Sequence, residues 1–205
     1  MQLVPSTADL VRAEIADPAA FARQLGAHVP PDWPPEEAAD ALPWFLEQLE
    51  AAGPSGHGWY GFYGIVVKEH SHAPILVGGG GSLGPPEAGV VEIGYSVLPA
   101  FRRCGYATEM MSAVVEWLWR DARVRLIRAQ TGNDNAASRA FLVGLGFTET
   151  QPGAEPHTMA FERFCSLRAP VDGARRPACS HRRAPQRCRA RGSDRPPGGT
   201  PRIPA

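Results

Sequence analysis

Long apolar runs are absent from this sequence. Nowhere in its 205 residues do about 18 apolar residues follow one another, which is the length that a membrane-spanning helix requires. Residues 1–9 also lack the basic flank and the apolar stretch of a secretory signal. From these two absences we expect a cytoplasmic protein that does not span a membrane.

The cysteines are few and show no paired spacing. The chain has 4 cysteines, and three of them lie within or directly before the segment 166–205. Their spacing indicates neither a disulfide framework nor a zinc site. Cys179, His181 and Cys188 could be imagined as ligands, but scattered residues in a basic segment do not indicate a metal. We therefore predict no metal.

A formal net charge of +0 conceals two different segments. Residues 1–165 hold 11 Lys and Arg against 19 Asp and Glu, a net charge of −8, whereas residues 166–205 hold 10 Arg against 2 Asp, a net charge of +8. The second segment has too few apolar residues to offset the entropy of ordering. We predict one folded domain over 1–165 and a disordered, Arg- and Pro-rich tail over 166–205.

The tail leaves two interpretations open. Its 10 arginines would bind phosphate backbones without sequence preference, yet it contains no aromatic residue that could stack on bases. Its composition also looks like GC-rich coding sequence read in the wrong frame. We favour an accidental extension over a nucleic-acid-binding arm, so we expect no specific nucleic-acid partner.

Hydrophobic periodicity and turn residues predict the elements of the folded domain. Asp17 is expected to cap the second helix and Pro18 to open it. The predicted helices are 8–16, 18–25, 36–52, 106–120 and 135–145. The predicted strands are 59–68, 75–82, 90–98, 124–130, 147–151 and 157–164. Hairpins dominate the first half and strand-helix-strand units the second, which predicts an α/β fold with mixed strand directions.

Four consecutive glycines, Gly78 to Gly81, raise the question of a phosphate-binding loop. No helix follows them, because Gly84-Pro85-Pro86 forms a turn. We instead predict a strand whose bare backbone lets a neighbour pack closely.

The junction between a predicted strand and a predicted helix carries the most informative pattern. The strand ends at Pro99, and the run Arg102-Arg103-Cys104-Gly105-Tyr106-Ala107 then opens the helix 106–120. Glycine permits a tight turn, and the first N–H groups of a helix converge where its dipole adds positive charge. Two arginines add the charge that a pyrophosphate needs. The pattern indicates an anion site, although by itself it also fits a basic loop that caps a surface helix.

This junction resembles the first motif of the GNAT superfamily of N-acetyltransferases. That motif is Arg or Gln, two residues, Gly, any residue, then Gly or Ala, and it is matched by Arg102, Gly105 and Ala107. A second motif of the superfamily has an Asn, a small residue three positions later and a final Gly-Phe. It is matched by Asn135, Ser138 and Gly146-Phe147. The resemblance spans residues 2–164 and looks most like the branch of the ribosomal-protein-alanine N-acetyltransferases.

The resemblance implies a fold and a cofactor. The fold is a mixed, largely antiparallel sheet of six to seven strands, splayed between its two central strands and flanked by helices. The cofactor is acetyl-CoA, which serves as the acetyl donor and is wedged into the splay. Its pantetheine arm is expected along the backbone of Tyr95, Ser96 and Val97, with Asn135 and Ser138 on the other side. Its pyrophosphate is expected at Arg102, Arg103, Cys104, Gly105, Tyr106, Ala107 and Thr108.

The residues for proton transfer are less clear, because the sequence departs from its relatives. Ribosomal-protein acetyltransferases often carry a Glu and a Tyr where this chain has Gln130 and Leu142. Neither of these can transfer a proton. Glu92 is then the best candidate for the base, unless it is a solvated or arginine-paired carboxylate. Tyr95 is a candidate acid, and Tyr106, Ser138 and water remain alternatives.

The resemblance implies transfer of an acetyl group to a primary amine, either on a small molecule or at a protein N-terminus, in a direct ternary complex. Residues 25–70 are expected to form the amine pocket, with four aromatic side chains that either line it or belong to the core: Trp33, Trp44, Trp59 and Tyr60. The acidic domain favours a cationic amine. The alternative is a non-catalytic acyl-CoA-binding module. We expect a monomer or a homodimer.

Overall fold

The structure, a computed structural model, describes residues 1–67 and 73–165. Within this part of the chain, seven strands form one sheet. The strands are β1 (Gln2–Pro5), β2 (Phe62–Val67), β3 (Pro74–Ser82), β4 (Val90–Val97), β5 (Leu126–Gly132), β6 (Thr148–Pro152) and β7 (Thr158–Phe164). The predicted tail, 166–205, lies outside the described residues.

Six helices accompany the sheet in the described part of the chain. They are α1 (Ala8–Ala16), α2 (Pro18–Leu25), α3 (Glu36–Ala39), α4 (Leu42–Ala52), α5 (Tyr106–Arg120) and α6 (Ala136–Gly144). The boundary between α1 and α2 follows the prediction, since the Asp17 side chain accepts hydrogen bonds from the N–H groups of Ala19 and Ala20 at 3.0 Å. Pro18 is the first residue of α2.

The predicted third helix, 36–52, is wrong as a single element. It is divided into α3 and α4, which are separated by Asp40 and Ala41. Pro43 lies at the start of α4. A proline there has no N–H to donate and its ring would clash with the carbonyl four residues earlier, so one continuous helix cannot form.

The strand order of the sheet is β1-β2-β3-β4-β5-β7-β6. β4 and β5 are parallel and are joined by the crossover helix α5, whereas the neighbouring pairs on either side are antiparallel. This arrangement confirms the predicted mixed, largely antiparallel α/β fold.

Each face of the sheet has its own hydrophobic core. On one face, α5 and α6 pack on the central strands around Met111, Leu118 and Leu142, which have no exposed surface. On the other face, α1 and α2 pack on β2 and β3 around Phe21 and Leu76. The helices of the second face leave β4 and β5 partly open, and Glu92 and Gln130 lie there, whereas Tyr95 faces α6 on the first face.

The four glycines form the second half of β3 and pack as predicted. A Cβ on Gly78 would approach the carbonyl oxygen of Ser96 to 2.5 Å, and a Cβ on Gly80 would approach the Cβ of Tyr95 to 2.7 Å. Side chains at these positions would therefore push β4 away from β3.

None of the helices in the described part of the chain has both the length and the apolar composition needed to cross a membrane.

Candidate active site

The two central strands diverge at their C-terminal ends. β4 and β5 pair only as far as Ile93 and Ala129. β4 then continues to Val97 along β3, and β5 continues to Gly132 along β7. Pairing between β4 and β5 thus stops while both strands go on, which leaves a wedge-shaped cleft in the middle of the sheet. This is the splay that the resemblance implied.

The hydrogen bonds of β4 show which backbone groups face the cleft. The N–H of Leu98 donates to the carbonyl of Val77 at 3.0 Å, beside the position where Val97 pairs with β3. Along an antiparallel pair, every second residue bonds to the neighbouring strand. Because Leu98 bonds to β3, the N–H and C=O groups of Val97 and Tyr95 point away from β3. These groups point toward β5, whereas the backbone of Ser96 faces β3. The cleft therefore presents the backbone of two of the three predicted residues.

A sharply turned loop leads from the cleft to α5. The Nε of Arg102 donates to the carbonyl of Val97 at 2.9 Å, which holds this guanidinium at the mouth of the cleft. Arg103 has φ 63° and Gly105 has φ 83°, both in the left-handed region. Such a conformation is easy for glycine and uncommon for arginine. With Cys104 between them, these residues bring the backbone round to the helix start.

The N-terminus of α5 differs from those of three other helices. Side chains cap α1, α2 and α6, namely those of Thr7, Asp17 and Asn135. Gly105 occupies the cap position of α5, and no side chain of the described residues hydrogen-bonds to that end of the helix. The first N–H groups of a helix have no partner within it. The groups in question belong to the predicted pyrophosphate residues Tyr106, Ala107 and Thr108.

Tyr95 connects β4 with α6 across the cleft. Its hydroxyl lies 2.7 Å from the Oγ of Ser138, and its ring lies 4.6 Å from that of Phe141. Asn135 holds this end of α6, since its Oδ1 accepts from the N–H of Ser138 at 3.0 Å. Burial raises the pKa of Tyr95, and the hydrogen bond with Ser138 lowers it to a smaller extent. The hydroxyl therefore keeps its proton at neutral pH.

Glu92 and Gln130 lie on the open face of the two central strands. The Nε2 of Gln130 donates to Glu92 at 2.7 Å, and the Oε1 of Gln130 accepts from the N–H of Ala154 at 2.6 Å. This second bond fixes which end of the amide faces Glu92. The half-buried carboxylate of Glu92 thus has a neutral partner, while the nearby Arg128 pairs with Glu162 at 2.7 Å. Among the described residues, no arginine pairs with Glu92.

A cavity of about 250 Å³ lies on the same face, beside the end of β4. Its floor follows from the sequence, because Gly79, Gly81 and Gly94 place no side chain on this face of β3 and β4. The cavity reaches Ser96 at one side and is mostly apolar. Its larger walls are formed by Trp33, Leu42, Phe45, Tyr60, Phe62 and Tyr63.

One carboxyl group, that of Glu14 on α1, lines this cavity. Its residue is 7% exposed, and it accepts hydrogen bonds from the Nε1 of Trp33 and the hydroxyl of Tyr63, both at 2.6 Å. Burial raises the pKa of Glu14, and the two hydrogen bonds oppose this effect without cancelling it. Glu14 was not among the predicted site residues. Glu14 follows Leu10 by four residues and Val11 by three, so it shares their face of α1, and this spacing could have indicated that it is buried.

The predicted pocket aromatics have different locations. Trp33 and Tyr60 line the cavity. Trp44 is 44% exposed and contacts Phe45 edge to face, with ring centroids 5.1 Å apart. Trp59 packs against Trp117, with ring centroids 4.9 Å apart, in the core on the other face of the sheet. Two of the four residues are therefore pocket residues.

The described residues contain no group of three or more His, Cys, Asp or Glu side chains that could hold a metal ion. Leu142, which stands where relatives often carry a tyrosine, has no exposed surface and belongs to the core. Tyr95 is the tyrosine whose hydroxyl contacts α6 here.

Comparisons with known proteins agree with this architecture. The family model of the acetyltransferase (GNAT) domain matches residues 2–148. The uncharacterized N-acetyltransferase YjdG of Bacillus subtilis (strain 168) is 33% identical over 135 residues, which cover 65% of this chain and 77% of that protein.

Solved structures show the same fold at low identity. The ribosomal-protein-S5-alanine acetyltransferase from Vibrio fischeri has a TM-score of 0.53 and 15% identity, covering 82% of this chain and 95% of that chain. The ribosomal L7/L12 α-N-protein acetyltransferase RimL, in complex with coenzyme A, has a TM-score of 0.51 and 17% identity, covering 79% of this chain and 92% of that chain.

The fold and the cleft define a class of acyltransferases that use acetyl-CoA. The family model spans more than half of the sequence, and the chain belongs to the GNAT acetyltransferase family. The predicted resemblance and the predicted enzyme class are thereby confirmed.

Proposed function

We propose that this chain is an N-acetyltransferase that transfers the acetyl group of acetyl-CoA to a primary amine within a ternary complex. The observation that carries the proposal is the junction of two features at the end of β4. The splayed cleft ends at the uncapped start of α5, and the apolar cavity opens beside the same strand segment, at Gly94 and Ser96. A donor and an acceptor can therefore meet at one place.

The residues of the cleft fit acetyl-CoA. The N–H and C=O of Tyr95 and the N–H of Val97 are offered to an amide-containing arm, as a neighbouring strand would offer them, while the Val97 carbonyl accepts from Arg102. A Cβ added at Gly105 would meet no heavy atom within 4 Å in the described residues, so the space above the first turn of α5 is open. The N–H groups of that turn and the guanidinium of Arg102 together suit a pyrophosphate.

Bound acetyl-CoA supplies an activated acetyl group as a thioester. Glu92 lies on the same face of β4 as Gly94, two residues further along, which lines the cavity. We assign to Glu92 the uptake of a proton from the acceptor amine, directly or through a water. Gln130 orients this carboxylate through its amide without supplying a competing charge.

Tyr95 is assigned the opposite role. Its hydroxyl is protonated at neutral pH and lies on the cleft side of β4 against Ser138, so it can donate a proton at its Oη to a departing thiolate. Orientation of the two reactants contributes as well, by up to about 7–11 kcal/mol in favourable cases.

The test is a broad amine screen with acetyl-CoA and the full-length chain. We expect coenzyme A thiol to be released only in the presence of an accepted amine, and the amine product to carry one added acetyl group by mass spectrometry. Binding of acetyl-CoA without acetylation of any amine or peptide N-terminus would instead support a non-catalytic acyl-CoA-binding module.

A further inference from the structure

The carboxyl group of Glu14 has no role in the reaction described above. It is buried in the wall of the cavity, and both of its hydrogen-bond donors, Trp33 and Tyr63, are neutral. Among the described residues, no Lys, Arg or His forms an ion pair with it. A buried carboxylate without an opposite charge costs free energy. A cation bound in the cavity would supply that charge.

The sheet register shows how far this group lies from the reacting end of the cavity. Tyr63 pairs with Gly79, and Gly79 pairs with Ser96, so the three residues form one row across β2, β3 and β4. Two strand spacings separate the ends of the row, about 10 Å in all. Glu14 lies above the Tyr63 end, because it is bonded to the hydroxyl of that side chain.

The two ends are joined by the cavity that Glu14 and Ser96 both line. Its walls are mostly apolar, and a spacer would pass beside the Trp33 ring. Gly79 has no side chain, and the Trp33 ring covers this position, with its nearest atom 3.3 Å from where a Cβ would lie. Phe45, Tyr60 and Leu42 add apolar walls. An amine that reacts beside Ser96 and the carboxyl group of Glu14 therefore lie at different ends of one cavity. The same molecule can reach Glu14 with its other end if an apolar spacer joins the two.

We propose that Glu14 binds a second, non-reacting cationic group of the acceptor, so that the preferred substrates are small amines in which an apolar spacer links the reacting amine to a further ammonium group. This inference rests on the proposed acetyltransferase function. Glu14 is thereby a specificity-determining residue of the acceptor pocket. The aromatic walls suit this class of ligand too, because ring faces attract organic cations.

The experiment compares hexamethylenediamine with hexylamine, which has the same spacer and lacks the second ammonium group. For the full-length wild-type chain we expect a KM for the diamine about tenfold or more below that for the monoamine, with similar kcat values. Glu14→Gln should abolish this preference by raising the KM for the diamine, while kcat with hexylamine stays within about twofold. Equal KM values for the two amines in the wild-type chain would overturn the proposal, whether or not the variant folds.

Two further variants separate a specificity role from other roles. Glu47→Gln removes an exposed carboxylate from α4, the helix that also contributes Leu42 and Phe45 to the cavity, and it should retain the preference. Trp33→Phe removes one of the two hydrogen bonds that lower the pKa of Glu14 and trims a cavity wall, so it should weaken the preference without abolishing it. If Glu14→Gln lowers kcat equally for both amines, Glu14 is a base or an internal support and the proposal is wrong.

Calorimetric titration with hexamethylenediamine in the absence of acetyl-CoA gives a second readout. We expect wild-type chain to bind the diamine and Glu14→Gln to bind it about tenfold or more weakly. Binding that depends on Glu14 without acetylation of either amine would overturn the proposed function and leave the cation site standing. Acetylation of both amines without any dependence on Glu14 would support the proposed function and overturn the cation site.

Discussion

The two sides of the candidate active site are built from different parts of the polypeptide. Most of the proposed donor side is a contiguous stretch, residues 95–108, which we expect to act mainly through backbone groups and the turn at Gly105. The acceptor side gathers side chains from α1, the connector after α2, α4, β2 and β3 over a floor of glycines. A backbone site has a short sequence signature, whereas a side-chain pocket exists only once distant segments have packed.

Gly105→Val gives the largest expected effect, because it should abolish acetyl-CoA binding. A valine at φ 83° costs about 1–2 kcal/mol of strain, which the fold can bear, and its side chain would project into the space assigned to the pyrophosphate. Titration calorimetry measures the loss, and circular dichroism checks the fold. The matched control is Gly26→Val, at the C-cap of α2, which also has a left-handed φ, 68°, and room for a Cβ.

Normal acetyl-CoA binding by folded Gly105→Val would reduce this loop to a helix cap. It would also remove the main support for the donor side. Gly26→Val should bind acetyl-CoA as the wild-type chain does.

Glu92→Gln tests the junction between the two sides. If Glu92 takes the proton from the amine, the substitution should lower kcat by about 10²–10⁴-fold with acetyl-CoA affinity unchanged. Steady-state kinetics measures the first quantity and calorimetry the second. A near-normal rate would assign Glu92 to structure and leave the orientation of the reactants as the main source of catalysis.

Arg102→Ala tests whether a charged side chain contributes to the binding of acetyl-CoA on the donor side. The substitution removes a charge-assisted contact worth roughly 1.5–3 kcal/mol, so the Kd for acetyl-CoA should rise about tenfold to a hundredfold and depend less on salt. Pantetheine, which lacks the pyrophosphate, should bind equally well to both chains. Equal losses for both ligands would mean that Arg102 acts only by holding the Val97 carbonyl.

Gly94→Val addresses the acceptor side. A Cβ at this position would lie 3.7 Å from Leu83, an ordinary contact, and the remaining side chain would fill the cavity beside β4. We expect the KM for the amine to rise about tenfold or more, a loss of about 1.4 kcal/mol or more, with the Kd for acetyl-CoA within about twofold of the original. Gly144→Val, at the exposed end of α6, is the control. A similar rise in the KM for the amine and in the Kd for acetyl-CoA would show that the two sides are not separable.

The smallest expected effect concerns Glu14 and the pH dependence of stability. Its pKa is raised in the folded chain, so its protonation favours folding: this contribution is full below the unfolded-state pKa and is lost as pH rises through the folded-state pKa. The free energy of unfolding of the wild-type chain relative to Glu14→Gln should therefore increase on acidification, by at most ~1.4 kcal/mol per unit of pKa difference. Urea unfolding at several pH values measures this. A difference independent of pH would contradict the assignment.

The sequence encodes the geometry of the proposed donor side more directly than that of the acceptor side. Arg102, Gly105 and the helix start are neighbours along the chain, so their geometry is locally encoded. The phase of the ladder, which turns Tyr95 and Val97 into the cleft but Ser96 toward β3, depends on pairing with β3 and could not be derived from the motif.

The acceptor side could not be predicted from the sequence because it forms only through tertiary contacts. The aromatic run 59–63 supplies residues to both faces of the sheet: Tyr60 and Tyr63 line the cavity, whereas Trp59 packs in the opposite core, and tertiary packing decides between these positions. Glu14 was missed because a carboxylate in an amphipathic helix is usually exposed. Pro43 was overlooked because the apolar spacing continues past it.

The divergence of β4 and β5 also bears on how the domain holds together. The sheet consists of two antiparallel halves, β1 to β4 and β5 to β7, which share backbone pairing only over Val90–Ile93 and the facing part of β5. A ligand that fills the cleft bonds to both halves, and any molecule that binds only the folded state stabilises it. Acetyl-CoA in this position would thus add bonds between two half-sheets that share little backbone pairing but one hydrophobic core.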